Sequence, residues 1–221
     1  VRLQMMLPCD IEELAIKLFM SEFNSIADAD GIQIMGGHTQ VSKAYSYPTF
    51  FVTAMGMMKE YVPAPKKVEP GYEIIMTKYA GILGTDILIN SKEEVLEKRL
   101  SKGYIRGGFF GSSMYDISRD ARIAAKFKDH VCYMHDVSYG GVYGALWQLG
   151  VKINQGIRIN HYNIPIKQET IEFCEIFDIN PYMLEGTGSL LIIARQGEDV
   201  VRALIEEGIP AAVIGQVTES K

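Results

Sequence analysis

The stretch "MHDVSYGGVYGAL", Met134 to Leu146, is where the fold of this chain is decided. The apolar run "HVCYM", His130 to Met134, enters it as a strand would. His135-Asp136, then Ser138, then Gly140-Gly141 lead into an apolar segment with the period of a helix. A strand, a polar turn and Gly-Gly at a helix start can hold an anion, because a helix N-terminus offers unpaired amides and roughly +0.5 of an elementary charge. The same pattern also suits a plain tight turn, since Asp and Ser are favoured helix caps. Asp136 is expected to project from the strand's end, as a magnesium ligand or as a cap. Local chemistry leaves both readings open.

Working outward, strands and helices alternate on both sides of this switch. Towards the C-terminus, "GIRIN" and "AAVIGQV" read as strands, and so does the largely apolar "GSLLIIAR". "IKQETIEFCEIFD" and "EDVVRALIEEG" read as helices. Towards the N-terminus, "YEIIMTKY" is a strand, while "SKEEVLEKRL", with a Ser91…Glu94 capping box, and "MYDISRDARIAAKF" are helices. "VPAPKKVEPG", Val62 to Gly71, with three prolines and a glycine, is the linker candidate. Before it, Asp10…Glu13 has capping-box form ahead of a helix ending near Asp28–Gly31. "IQIM" (Ile32–Met35) and Thr49–Met58 read as strands. These patterns predict an α+β protein in two layers, with a first domain over 1–62, a linker over 63–71 and a second domain over 72–221.

Composition removes several functional classes. The 221 residues are 48% hydrophobic and 22% charged, as in an ordinary globular protein. The net charge of −5 carries no footprint for nucleic acid or an anionic membrane. No apolar run approaches the roughly 20 residues that span a bilayer. Cys9, Cys132 and Cys174 are odd in number and lack CxxC spacing, which favours a reducing compartment, the cytoplasm, over a disulfide framework. The four histidines lack zinc-site spacing. Met5, Met6, Met55, Met57 and Met58 are expected in the core.

Three further stretches carry polar groups suited to a site. In "GGHTQV", Gly36-Gly37 lets the backbone approach a ligand closely, and His38 and Thr39 are candidates to bond a phosphate or a metal-bound water. A β-turn with a surface histidine is the simpler reading. In "KYAGILGTDIL", Lys78 is a candidate point charge for a phosphate, and Thr85 and Asp86 candidate caps, though a surface loop fits as well. In "LEGTGSLLIIA", Glu185 precedes Gly-Thr-Gly and a buried strand, as a base, a metal ligand or a solvated loop acid.

The order of these motifs resembles the aminoimidazole ribonucleotide synthetase superfamily over nearly the whole chain. The resemblance is strongest to its AIR synthase-related and hydrogenase-maturation carbamoyl dehydratase branch. It implies a two-domain α+β protein, here a partial N-terminal domain and a complete C-terminal one. It also implies a homodimer through the N-terminal domain, and ATP with magnesium between the domains. By similarity, Gly36, Gly37, His38 and Thr39 match a turn facing the nucleotide. Asp136, as catalytic residue and metal ligand, with Ser138, Gly140 and Gly141, matches a motif of the second domain. Glu185 matches the acid of a Glu-Gly pattern and is the second catalytic candidate. Lys78 would add a nucleotide contact.

The implied chemistry is ATP-dependent activation of an oxygen on a small molecule, giving ADP and phosphate. Several positions depart from the family pattern. His38 stands where many members carry an acid, Leu83 where a Glu is common, and Tyr139 where an acid or base is common. The family carries a further segment ahead of the point where Val1 falls. Hydrogenase-maturation members end in a cysteine, and this chain ends "VTESK". His38 and the acids that the family carries on that further segment favour the alternative, a dimeric accessory or binding protein that keeps the fold without catalysis.

Overall fold

In "RLQMML", Leu3, Met5 and Leu7 alternate with Arg2, Gln4 and Met6, and such alternation buries one face of a strand. A computed structural model, which describes residues 1–57 and 67–219, shows this strand at the centre of the first of two units. The units are Val1–Val62 and Pro63–Lys221. Residues 62–66 of the expected linker stretch lie outside the described residues.

In the first unit, β1 (Arg2–Leu7) leads through α1 (Glu13–Ala29) to β2 (Gly36–Val41) and then β3 (Thr49–Thr53). The sheet order is β2-β1-β3, with β2 parallel and β3 antiparallel to β1. Leu3, Met5 and Leu7 pack under Ile16, Phe19, Met20 and Phe23 of α1. Phe50 stacks on Phe19 with ring centroids 4.2 Å apart.

Several expectations change here. "GGHTQV" is a strand, not a turn, and Ile32–Met35 forms no strand. Pairing with β1 from Arg2↔Gly36 to Leu7↔Val41 overrides the local preference of Gly-Gly. Gly37 is required there, because a Cβ would collide with the Leu3 carbonyl. Asp10 does not cap α1. The chain turns at Cys9-Asp10, Ile11 N–H donates to the Pro8 carbonyl at 3.4 Å, and the cap position falls to Glu12. β3 stops at Thr53, leaving Met55 and Met57 exposed rather than in the core. Met58 lies outside the described residues.

The second unit is built on β4 (Glu73–Thr77), β5 (Val131–Val137), β6 (Gly156–Ile159), β7 (Ser189–Ala194) and β8 (Ala211–Thr218). They form an antiparallel sheet in the order β5-β7-β4-β8-β6. Helices cover both faces, so the unit has three layers instead of the expected two. On one face Ile74, Met76, Leu191, Ile193 and Ile214 pack against Val142, Ala145, Leu146 and Leu149 of α5 (Gly141–Ile153). On the other, Ile75, Leu190, Ile192 and Ala194 meet α4 (Ser118–Ala125) and α7 (Gly197–Glu206). This two-sided burial explains the unbroken apolar runs of β4 and β7.

At one end, α2 (Ile82–Leu96), α3 (Lys102–Gly108) and α6 (Gln168–Ile176) close around Ile89, Leu96, Ile105 and Phe173. α2 starts well before the predicted Ser91 cap. That serine instead precedes a break at Lys92, where φ is −135°. The sequence reading did not anticipate α3, which Ser101 caps by accepting from the Tyr104 amide at 3.3 Å. Among the described residues no helix is long and apolar enough to cross a membrane.

Candidate functional site

β5 delivers Asp136 as its second-to-last residue, with the side chain 57% exposed and Oδ1 at 3.4 Å from His135 Nδ1. The His135 ring is anchored on its other side by Gln148 Oε1, at 3.1 Å from Nε2. After Asp136 the chain turns through Ser138, whose carbonyl accepts from the Gly141 amide at 3.0 Å and from the Gly186 amide at 3.3 Å. That shared carbonyl joins the β5–α5 turn to the segment bearing Glu185.

Gly140 and Gly141 both take positive φ, 87° and 63°. A Cβ on Gly141 would stand 2.6 Å from the carbonyl oxygens of Tyr182 and Leu184. The loop therefore lies directly on the head of α5, and Tyr143 N–H donates to the Tyr182 carbonyl at 3.1 Å. One of the helix's unpaired amides is thus already satisfied by the protein. The turn is a tight, packed one, and its polar side chains, not a vacant ring of amides, are what it offers a ligand.

Glu185 is half-buried, and its Oε1 accepts from Thr187 Oγ1 at 2.7 Å and from the Thr187 amide at 3.3 Å. Its carbonyl accepts from the Gly84 amide at 2.9 Å, which ties the loop to the first turn of α2. Beside it, Tyr182 stacks on Tyr143 at 5.4 Å, and His161 meets Tyr182 edge-on at 4.3 Å. Tyr143 Oη and His161 Nδ1 are 3.1 Å apart. Burial, with Tyr143 alongside, raises the Tyr182 phenol above its ordinary value.

Lys78 is not displayed to a ligand. It sits past the end of β4 with φ 55°, and its side chain is 6% exposed. Its ammonium donates to the carbonyls of Asp116 at 2.7 Å, Gly188 at 2.9 Å and Met114 at 3.3 Å, and lies 3.2 Å from Asp120 Oδ2. The predicted surface loop after it is the start of α2, with Thr85 and Asp86 buried. The Asp86 carboxylate accepts from the amides of Phe110 and Gly111, each at 2.8 Å, and from Tyr115 Oη at 2.6 Å.

The structure thus brings Asp136, Ser138, Gly140, Gly141 and Glu185 together at one corner of the second unit. Gly36, Gly37, His38 and Thr39 lie exposed on β2 of the first unit, which among the described residues is an edge strand paired with β1 alone. Sequence reasoning missed Asp120 and the role of Asp86. Both had a usable signal, an acid on an apolar helix face. Asp120 shares a face with Ile123 and Ala124, and Asp86 with Ile82 and Ile89.

Residues 69–221 match the family described as AIR synthase related protein, C-terminal domain. The chain belongs to this family. Among curated AIR synthase-related proteins, it is 33% identical over 92 residues to carbamoyl dehydratase HypE of Rhizobium leguminosarum bv. viciae. That match covers 40% of this chain and 26% of the relative. It is 24% identical over 217 residues to HypE of Escherichia coli K12, covering 93% of this chain and 60% of the relative. The chain therefore spans between about a quarter and three-fifths of these relatives' lengths.

Among solved structures, hydrogenase maturation protein HypE in complex with ATP superposes with a TM-score of 0.72 and 17% identity. It is matched over 99% of this chain and 64% of its own. AaThiL complexed with AMPPCP and TMP gives 0.67 and 18%, over 99% and 67%. The α+β AIR-synthase-like fold and the likeness to the hydrogenase-maturation branch both follow.

Proposed function

We propose that the protein carries out ATP-dependent activation of an oxygen on a small molecule, releasing ADP and phosphate. The carrying observation is the Gly186 amide bonded to the Ser138 carbonyl, at 3.3 Å. It sets Asp136, two residues before Ser138, and Glu185, one before Gly186, on either side of one junction. Family membership supports the reading, as do the HypE and ThiL structures solved with ATP and with AMPPCP. Homodimerisation through the first unit, with Gly36–Thr39 facing the nucleotide, belongs to the same proposal. So does a reducing, cytoplasmic setting for a chain with three cysteines.

Among the described residues there is no group of three or more His, Cys, Asp or Glu side chains that could hold a metal. A magnesium ion carried in with phosphates still fits, because such ions use one or two carboxylates and take their other ligands from phosphate and water. Asp136 is the exposed carboxylate for that role, and the ion would supply charge neutralisation at the phosphates. Glu185, held by Thr187, is positioned to accept a proton from the attacking group. The Ser138 side chain would orient the substrate, and Gly140 and Gly141 would let the turn lie close to it.

The test is magnesium-dependent ATP turnover by the complete protein, compared with Asp136→Asn and Glu185→Gln. Each substitution is expected to lower kcat by about 100-fold or more, the usual scale for lost acid–base or electrostatic help. A second reading, a non-catalytic binding protein, draws on His38 at a position where many members carry an acid. Turnover that is absent, or indifferent to both substitutions, would select it.

A further inference from the structure

Lys78 makes an extensively bonded, buried contact in the second unit that the proposed chemistry does not use. Four oxygens surround its ammonium, and they come from three places. Met114 and Asp116 belong to the segment between α3 and α4, Asp120 to α4, and Gly188 to the loop that follows Glu185. The neighbouring contacts converge on the same junction. Ser189 Oγ donates to the Tyr79 carbonyl at 2.6 Å, and the Leu190 amide donates to Thr77 Oγ1 at 3.1 Å. Gly188 has φ 117°, and a Cβ there would come within 2.5 Å of the Met114 carbonyl. The Glu185–Gly188 loop is thus pinned at both ends, by Gly84 N–H at Glu185 and by Lys78 at Gly188.

We infer that Lys78 is a positioning residue: its buried ammonium, bonded to Gly188, fixes the four-residue loop that presents the Glu185 carboxylate. The inference rests on the proposed role of Glu185. Charge alone would be satisfied by Asp120. The carbonyl bonds are what lock the loop, because an ammonium with three donors aimed at separate segments holds them in one relative arrangement. Removing it frees the Gly188 end of the loop while leaving Glu185 itself intact.

The experiment uses the complete protein and three variants, Lys78→Met, Asp120→Asn and Lys78→Met/Asp120→Asn. The double variant removes both buried charges and covers the case where Lys78→Met alone does not fold. Amide hydrogen exchange is followed over Gly186–Ser189 and over β5, and kcat and KM for ATP are measured in parallel. Lys78→Met and the double variant are expected to speed exchange over Gly186–Ser189 at least 10-fold more than over β5. They should also lower kcat with KM for ATP changed by less than about 3-fold. Asp120→Asn keeps the three carbonyl bonds and should leave the loop's relative protection unchanged.

A uniform rise in exchange across the unit, the same in all three variants, would overturn the inference by showing only general destabilisation. Loop protection unchanged in Lys78→Met would overturn it as well. Failure of the underlying reading looks different, since Glu185→Gln would then turn over ATP like the parent whatever the exchange data show.

Discussion

Tyr143, in the first turn of α5, donates its amide to the carbonyl of Tyr182 at 3.1 Å while the two rings stack at 5.4 Å. One pair of residues thus closes the helix's head with backbone and covers it with aromatic surface. No side chain caps this helix, so the fit between the head of α5 and the Tyr182–Leu184 backbone does that work.

The fit predicts a steep cost for any side chain at Gly141. Alanine there would take a left-handed conformation, at about 1–2 kcal/mol, and drive its Cβ into two carbonyl oxygens. Gly141→Ala is expected to lower the unfolding free energy by at least about 2 kcal/mol. Urea denaturation followed by circular dichroism measures it, and an unchanged midpoint would show that the loop yields freely.

Asp86 should matter more than its place in a helix suggests. It holds two amides and the Tyr115 hydroxyl from within a buried site. Asp86→Ala strands those donors and is expected to cost about 3 kcal/mol, on the scale of lost bonds to a charged acceptor. Asp86→Asn, which keeps one acceptor oxygen, should lie between it and the parent in the same denaturation experiment.

Alkaline pH should weaken the fold. Burial, then the hydrogen bond to Asp86, lifts the Tyr115 phenol from 10.0 to about 12, and burial lifts the Cys174 thiol from 9.0 to about 11. Both are acids that the folded state keeps protonated longer than the unfolded chain does. Their contribution is therefore complete below the unfolded pKa values and is lost as pH rises from about 9 to about 12. Urea midpoints taken at pH 8, 10 and 11 should fall in that order. In Cys174→Ala the decline should begin nearer pH 10.

Thiol chemistry should separate the cysteines. Cys9 is exposed, whereas Cys174 is buried with a raised pKa and so lacks both access and thiolate character. Iodoacetamide at pH 8, with peptide mapping over time, should alkylate Cys9 first and Cys174 last. Equal rates would contradict the burial of α6.

What the sequence revealed divides along physical lines. β4, β7 and β8 were readable because burial leaves an apolar run or alternation within a few residues. Asp136 at a strand end and Gly141 at a helix start were readable for the same local reason. Lys78 was misread because its carbonyl partners lie 36 to 110 residues away. Asp86 and Asp120 offered one local signal, an acid on an apolar helix face, but the groups they bind lie at least 24 residues away and leave no mark beside them. "GGHTQV" was misread because its strand state is imposed by β1, more than 30 residues upstream, against the leaning of two glycines.

The position of β4 also governs how the second unit can be made. It is the central strand, yet its two neighbours are β7 and β8, more than 110 residues later in the chain. During synthesis β4 leaves the ribosome with both edges bare, and neither is covered until Ser189–Thr218 has followed. β6 likewise waits for β8. Closure is a late, long-range event, of the kind that makes folding slow and exposes strand edges to mispairing in the interval. An apolar strand such as "EIIMT" has the most need of a chaperone during that delay.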